Sequence, residues 1–142
     1  VEVIVMDILR AIAVAITVMV VGAGCQADTS GLASVSVGEL AELRSDASVV
    51  VCDANGTATR DKFGIIPGAV LLSSSSEYDI AAELPGNKAA KMIFYCSSTM
   101  CSAAPKAARR AVEAGYSDVA VLPVGIKGWT EAGQPVDKPS AG

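Results

Sequence analysis

Lys91-Met92-Ile93-Phe94-Tyr95-Cys96-Ser97-Ser98-Thr99-Met100-Cys101-Ser102 is the stretch that decides the fold. Its first five residues read as a strand, Lys91 followed by the short apolar run Met92–Tyr95. Runs of this kind suit strands covered on both faces, as in parallel sheets. Cys96 closes the run, and small, mostly polar residues follow it. Ser102–Ala114 then reads as an alanine-rich helix closed by Gly115. Proline is tolerated in a helix only in the first turn, so Pro105 requires the helix to begin close to Ser102. The local unit is therefore strand, cysteine, tight loop, helix.

The same alternation extends in both directions. Upstream, Ser36 and Glu39 form a capping box that opens a helix over Val37–Arg44. Val49–Cys52 is a buried strand that runs into the turn residues Asp53-Ala54-Asn55-Gly56. Thr57–Phe63 reads as a short helix, Ala69–Leu72 as a second strand and Tyr78–Leu84 as a helix stopped by Pro85-Gly86. Downstream, Asp118–Leu122 is a further strand, and Gly125–Ala132 a last helix carrying Trp129. Alternating strands and helices predict an α/β class with a mainly parallel sheet.

Ligands of such sheets bind beyond the carboxyl ends of the strands, where Cys96 stands. Unpaired backbone N–H groups at the following helix start, together with the helix dipole, favour an anion. A thiolate at Cys96 is expected to have a lowered pKa there and to be a ready nucleophile. The alternative is an inert buried cysteine at a strand end. The chain has no histidine. That excludes Ser-His-Asp and Cys-His catalysis, histidine metal sites and an imidazole base. Cys96 and Cys101 form C-x4-C. Should the loop fold back, their Cα atoms reach the ~4.4–6.8 Å of a disulfide, and Cys101 can then resolve a persulfide or sulfenic acid on Cys96. Alternatively Cys101 faces away. Zinc lacks a fourth ligand, and no cofactor is called for. Cys52 and Trp129 read as core. Met100 either lines an apolar entrance or covers the core. Asp53 caps its turn or orients the active loop, with Asn55 at the same sheet edge.

Several motifs, in order, resemble the rhodanese-like family. They are Val49–Asp53, Gly64-Ile65-Ile66-Pro67-Gly68-Ala69, Ile93–Cys96 with Ser102, Gly115-Tyr116 with Val119 and Val121, Gly125-Ile126-Lys127-Gly128-Trp129, and Gly133–Val136. The resemblance implies a three-layer α/β/α domain around a five-stranded sheet, assigned to residues 34–138. It implies a sulfurtransferase whose cysteine, Cys96, carries sulfane sulfur as a persulfide and passes it to a thiol or cyanide. Ser97, Ser98, Thr99, Met100 and Ser102 would form the substrate loop, with Asp53 and Asn55 in support. The six-residue loop Cys96–Cys101 suits sulfur transfer in that family, whereas related phosphatases use a longer one. Three positions depart from the pattern. Ile65 replaces the motif histidine, Asn55 an arginine, and Cys101 a frequent loop arginine, so the loop has no cation for thiosulfate. A small sulfur donor, a thiol acceptor or a partner protein are the expected partners. Two further readings share the fold: a non-catalytic binding module, and an envelope protein with a static or redox-active loop disulfide.

The 142 residues are one-domain length, 51% hydrophobic, with net charge −4. Without Arg10, Glu2 and Asp7 of the first 24 residues, ten basic and thirteen acidic residues remain, or −3. Such a domain has no basic footprint for nucleic acid and no polybasic patch for anionic lipid. Much of the apolar excess lies in Ala11–Gly24, fourteen uncharged positions, short of the roughly 20 of a spanning helix. After Arg10 it reads as a signal peptide, residues 1–25, with Met6 as its start. Val21-Gly22-Ala23-Gly24-Cys25 resembles a bacterial lipobox with Gly22 in place of an aliphatic residue, which makes Cys25 the lipidation site. Ordinary secretory cleavage and an uncleaved anchor are the alternatives. Residues 26–33 read as a tether and 139–142 as a tail. The expected address is the bacterial cell envelope, periplasmic, with membrane contact through the lipid alone.

Overall fold

A computed structural model describes residues 31–140. The signal segment, Cys25 and residues 26–30 of the tether lie outside the described residues. The described chain runs β1 (Ala33–Ser34), α1 (Val37–Leu43), β2 (Val49–Asp53), α2 (Thr57–Phe63), β3 (Val70–Leu71), α3 (Ile80–Glu83), β4 (Lys91–Tyr95), α4 (Ala103–Glu113), β5 (Asp118–Leu122) and α5 (Gly125–Glu131). The five strands form one parallel sheet in the order β1-β5-β4-β2-β3. The α/β class and the five-stranded sheet agree with the sequence reading.

The period-two alternation of strand side chains divides the core into two layers. Cys52 of β2, Met92 and Phe94 of β4, and Val119 and Val121 of β5 pack on one face. Ala104, Ala107, Ala108 and Ala111 cover that face. Their spacing puts four small side chains on a single stripe of α4, so the helix can lie close to the sheet. Val51, Ile93, Tyr95, Ala120 and Leu122 take the opposite face, beneath Leu40, Ile126 and Trp129. Cys96 continues the parity of Met92 and Phe94, and its side chain joins the α4 layer. Trp129 is fully buried and donates its ring N–H to the Pro135 carbonyl at 2.8 Å, so it is a core residue as expected.

β1 is absent from the sequence reading because two residues cannot show a period. It is held by parallel pairing of Ala33 and Ser34 with Ala120 and Val121. α3 is shorter than read. The Asp79 carboxylate accepts the N–H groups of Ala81 and Ala82 and starts the helix there. Tyr78 is left ahead of it, buried, with its hydroxyl donating to the Ala107 carbonyl at 2.8 Å.

The carboxyl ends of β2 and β4 are tied by the buried side chain of Asp53. Its carboxylate accepts the Tyr95 hydroxyl at 2.6 Å and the Asn55 N–H at 2.7 Å. Tyr95 in turn accepts the Ile66 N–H at 3.1 Å. Arg60 of α2 ion-pairs with Asp53 at 3.5 Å and donates to the carbonyls of Asp53 and Leu72. A buried carboxylate stripped of a partner retains its desolvation penalty. Tyr95→Phe is expected to lower unfolding free energy by about 1–3 kcal/mol. Lys91→Gln, which breaks the exposed Lys91–Asp118 pair, should lower it by under about 1 kcal/mol. Urea melts of the two variants check the order.

Candidate active site

Cys96 follows β4 directly, and the backbone there is clamped by α5. The Cys96 carbonyl accepts the Ile126 N–H at 2.8 Å, and the Ser97 carbonyl accepts the Lys127 N–H at 3.0 Å. The approach is close enough to require glycine at the helix start. Gly125 has φ +61°, and a Cβ there would stand 2.5 Å from the Cys96 oxygen and 2.7 Å from the Ser97 carbonyl carbon. The thiol of Cys96 meanwhile belongs to the α4 side of the sheet. Opposite layers thus hold the backbone and the side chain of one residue.

The loop then folds back on itself. The Cys101 N–H donates to the Ser98 carbonyl at 3.1 Å, and the Met100 N–H to the Ser98 hydroxyl at 3.4 Å. This turn brings the two cysteines together. The Cys96 thiol donates to the Cys101 carbonyl at 3.5 Å, and both cysteines line one pocket. Both are free. Cys101 therefore does not face away. The Ser97 N–H and side chain and the Ala103 N–H favour ionisation of Cys101, and the N–H groups of Ala104 and Ser97 favour that of Cys96.

The acidity of the pair is the reverse of the sequence expectation. Burial, the hydrogen bond to Cys101 and the charge of Cys101 together push the Cys96 thiol up to about 12, against the backbone N–H groups that favour its ionisation. Cys101 is also penalised by burial, but it is less enclosed. The Cys96 thiol and the N–H groups of Ser97 and Ala103 outweigh the penalty and hold Cys101 below the ordinary thiol range. The helix start lowers a cysteine as expected, but the one it lowers is Cys101. Two thiols this close titrate as a coupled pair, so their two proton losses belong to the pair.

A pocket of about 220 Å³ opens on the pair. Cys96, Cys101, Thr99, Pro105, Val121 and Pro123 line it, with an alanine and a leucine completing the wall. Ser98 forms the turn, and exposed Ser102 precedes α4 without capping it through its side chain. Met100 is 91% exposed at the loop tip, so it does not cover the core. Cys52 is buried and its thiol pushed up to about 12, first by burial and then by the neighbouring charge of Asp53, in keeping with a core role. Asp53 caps its turn and anchors Tyr95, one residue before Cys96. Asn55 is buried beside it, with its side-chain N–H2 lacking a partner. The charge missing at Asn55 is supplied by Arg60, which the sequence reading did not single out. Its signal was an arginine one turn into the helix that follows the strand aspartate.

The sequence matches the Rhodanese-like domain family over residues 36–132. No curated protein matches the chain. Among solved structures, it is similar to the BH2092 protein of Bacillus halodurans, with TM-score 0.65 and 20% identity over 74% of this chain and 76% of that one. The rhodanese-like domain of Alr3790 from Anabaena gives TM-score 0.63 and 18% identity over 77% and 83%. SseA of Escherichia coli, a 3-mercaptopyruvate sulfotransferase of the rhodanese fold, gives TM-score 0.60 and 23% identity over 76% of this chain and 51% of its own.

Gly125→Ala is expected to destabilise the chain by more than about 1 kcal/mol, because it combines positive φ with a backbone clash. Gly86→Ala, with open space at its Cβ, should be close to neutral. Thermal melts of the two compare them. Because the thiolate is the reactive form, the group with the lowered pKa reacts from lower pH upward. Limited iodoacetamide treatment of reduced protein near neutral pH should label Cys101 ahead of Cys96, as read by peptide mass spectrometry.

Proposed function

The chain belongs to the rhodanese-like domain family, and we propose that it is a sulfurtransferase carrying a sulfane sulfur as a persulfide on Cys96, with Cys101 as proton acceptor and resolving thiol. The observation that carries this is the pair of free thiols sharing one pocket at the end of the central strand, with the Cys96 thiol bonded to the Cys101 carbonyl and its backbone clamped by α5. With no histidine in the chain, the base nearest Cys96 is its own partner thiolate. Cys101 takes the Cys96 proton, and the Cys96 thiolate attacks the outer sulfur of the donor. The donor's S–S bond breaks, its leaving group departs with the electron pair, and Cys101 returns the proton to it.

Two fates are open to the persulfide. An acceptor thiolate can attack the outer sulfur and release the Cys96 thiolate. Otherwise the Cys101 thiolate attacks the Cys96 sulfur, hydrosulfide leaves with the electron pair, and a Cys96–Cys101 disulfide forms. A dithiol reductant then supplies two electrons to reopen it. The cell-envelope address, with Cys25 as lipid anchor, belongs to the same proposal; an oxidising compartment would let the pair rest as a disulfide.

The free, paired thiols also favour a second reading, an envelope thiol-redox protein that cycles between dithiol and disulfide without carrying sulfur. Intact mass spectrometry after brief treatment with inorganic polysulfide separates the two. The reduced wild type should gain a sulfur adduct mapped to Cys96, then release sulfide. Cys96→Ser should abolish the adduct, and Cys101→Ser should still load Cys96 and retain the sulfur. Oxidation to the disulfide with no sulfur adduct in any variant would favour the redox reading. A folded, reduced chain that neither loads nor oxidises would leave only a binding module.

A further inference from the structure

The thiol pocket has no charged side chain in its wall. Its walls are proline, alanine, valine and leucine, with Thr99 the polar exception apart from the thiols. None of the basic residues among the described residues lines it. Arg60 is engaged with Asp53 and with the carbonyls of Asp53 and Leu72. Arg110 is bonded to the Tyr78 carbonyl, and with Lys106 and Arg109 it lines a separate groove beside Ser76. Lys127 lies over Phe63. The backbone N–H groups of Ser97, Ala103 and Ala104 favour ionisation of the two thiols. They serve the charge of the thiolate and are not spare for a second anion.

A dianion entering this pocket would exchange water for apolar walls and meet a thiolate, with no cation to offset either cost. A neutral sulfur carrier escapes both costs. Among sulfane carriers, an organic hydropersulfide, R–S–S–H, exists in a neutral form. That form is also the electrophile, since a charge on the outer sulfur repels an attacking thiolate.

Resting on the sulfur-transfer reading above, we infer that the pocket takes its sulfur from a small organic hydropersulfide in its neutral form, and selects against thiosulfate. In the step, the Cys96 thiolate attacks the outer sulfur of R–S–S–H. The Cys96 Sγ–S bond forms as the donor S–S bond breaks. R–S⁻ leaves with the electron pair and receives the proton that Cys101 took from Cys96. The products are Cys96–S–S–H and R–S–H, and no oxidant or reductant is consumed.

The test measures the rate of sulfur loading on Cys96 in the reduced full chain by quenched mass spectrometry. The two donors are 2-hydroxyethyl hydropersulfide and thiosulfate, each also reacted with 2-mercaptoethanol to give the intrinsic ratio. The protein should prefer the hydropersulfide by at least about tenfold more than the free thiol does. Thr99→Arg puts a cation into the wall at an exposed loop position, and its fold is checked by thermal melt. It should raise the thiosulfate rate by about tenfold. A preference no greater than that of the free thiol, or a folded Thr99→Arg chain with an unchanged thiosulfate rate, overturns the inference and leaves the sulfur-transfer reading standing. Failure of Cys96 to load from either donor overturns both.

Discussion

A carboxylate buried at the end of a strand can persist only if the fold brings it partners. Asp53 is fully buried, and its partners come from three directions. Tyr95 reaches it from β4, Arg60 from α2, and the Asn55 backbone from the turn beyond β2. Through the Tyr95 hydroxyl the same network holds Ile66, in the connection leading to β3. The ends of the sheet's central strands, the helix between β2 and β3 and the turn below the site are thereby set with respect to one another. Tyr95 is also the residue before Cys96. The network defines where β4 stops, and α5 defines how the chain leaves it.

Cys96 illustrates why such over-determination matters for chemistry. Its side chain is assigned to the α4 layer by strand parity, while its carbonyl is taken by the N–H of Ile126 on the α5 side. Gly125 lets the two backbones meet. The loop cannot shift toward either layer without losing a hydrogen bond or a packed contact. A thiol held in this way needs little reordering to present its sulfur to the pocket, as preorganised sites require.

Much of this was legible from residues alone. β4, β5 and α2 have the limits read from their patterns, because apolar runs bounded by turn residues leave few alternatives. The start of α4 followed from Pro105. The strand at Ala33–Ser34 was not legible, since it owes its conformation to pairing with β5 and has no pattern of its own. Arg60 was not legible as a partner of Asp53, because it takes a helix to bring back a side chain distant in sequence. The acidity at the site was legible only in part. Loop spacing places Cys101 near Cys96 at a helix start, but the burial that raises Cys96 depends on the packing of α4 and has no local pattern.

The central claim is that Cys96 and Cys101 form one titrating unit in which the surroundings raise Cys96 and lower Cys101. Ultraviolet thiolate titration of the wild type, Cys96→Ala and Cys101→Ala tests it most directly. The wild type should lose one proton from the pair below the ordinary thiol range and the second only in strong alkali. Removing Cys96 should raise the midpoint of Cys101, because its donor is gone. Removing Cys101 should lower that of Cys96, because its acceptor and the adjacent charge are gone. Single variants in which each remaining thiol titrates where it does in the wild type would contradict the account.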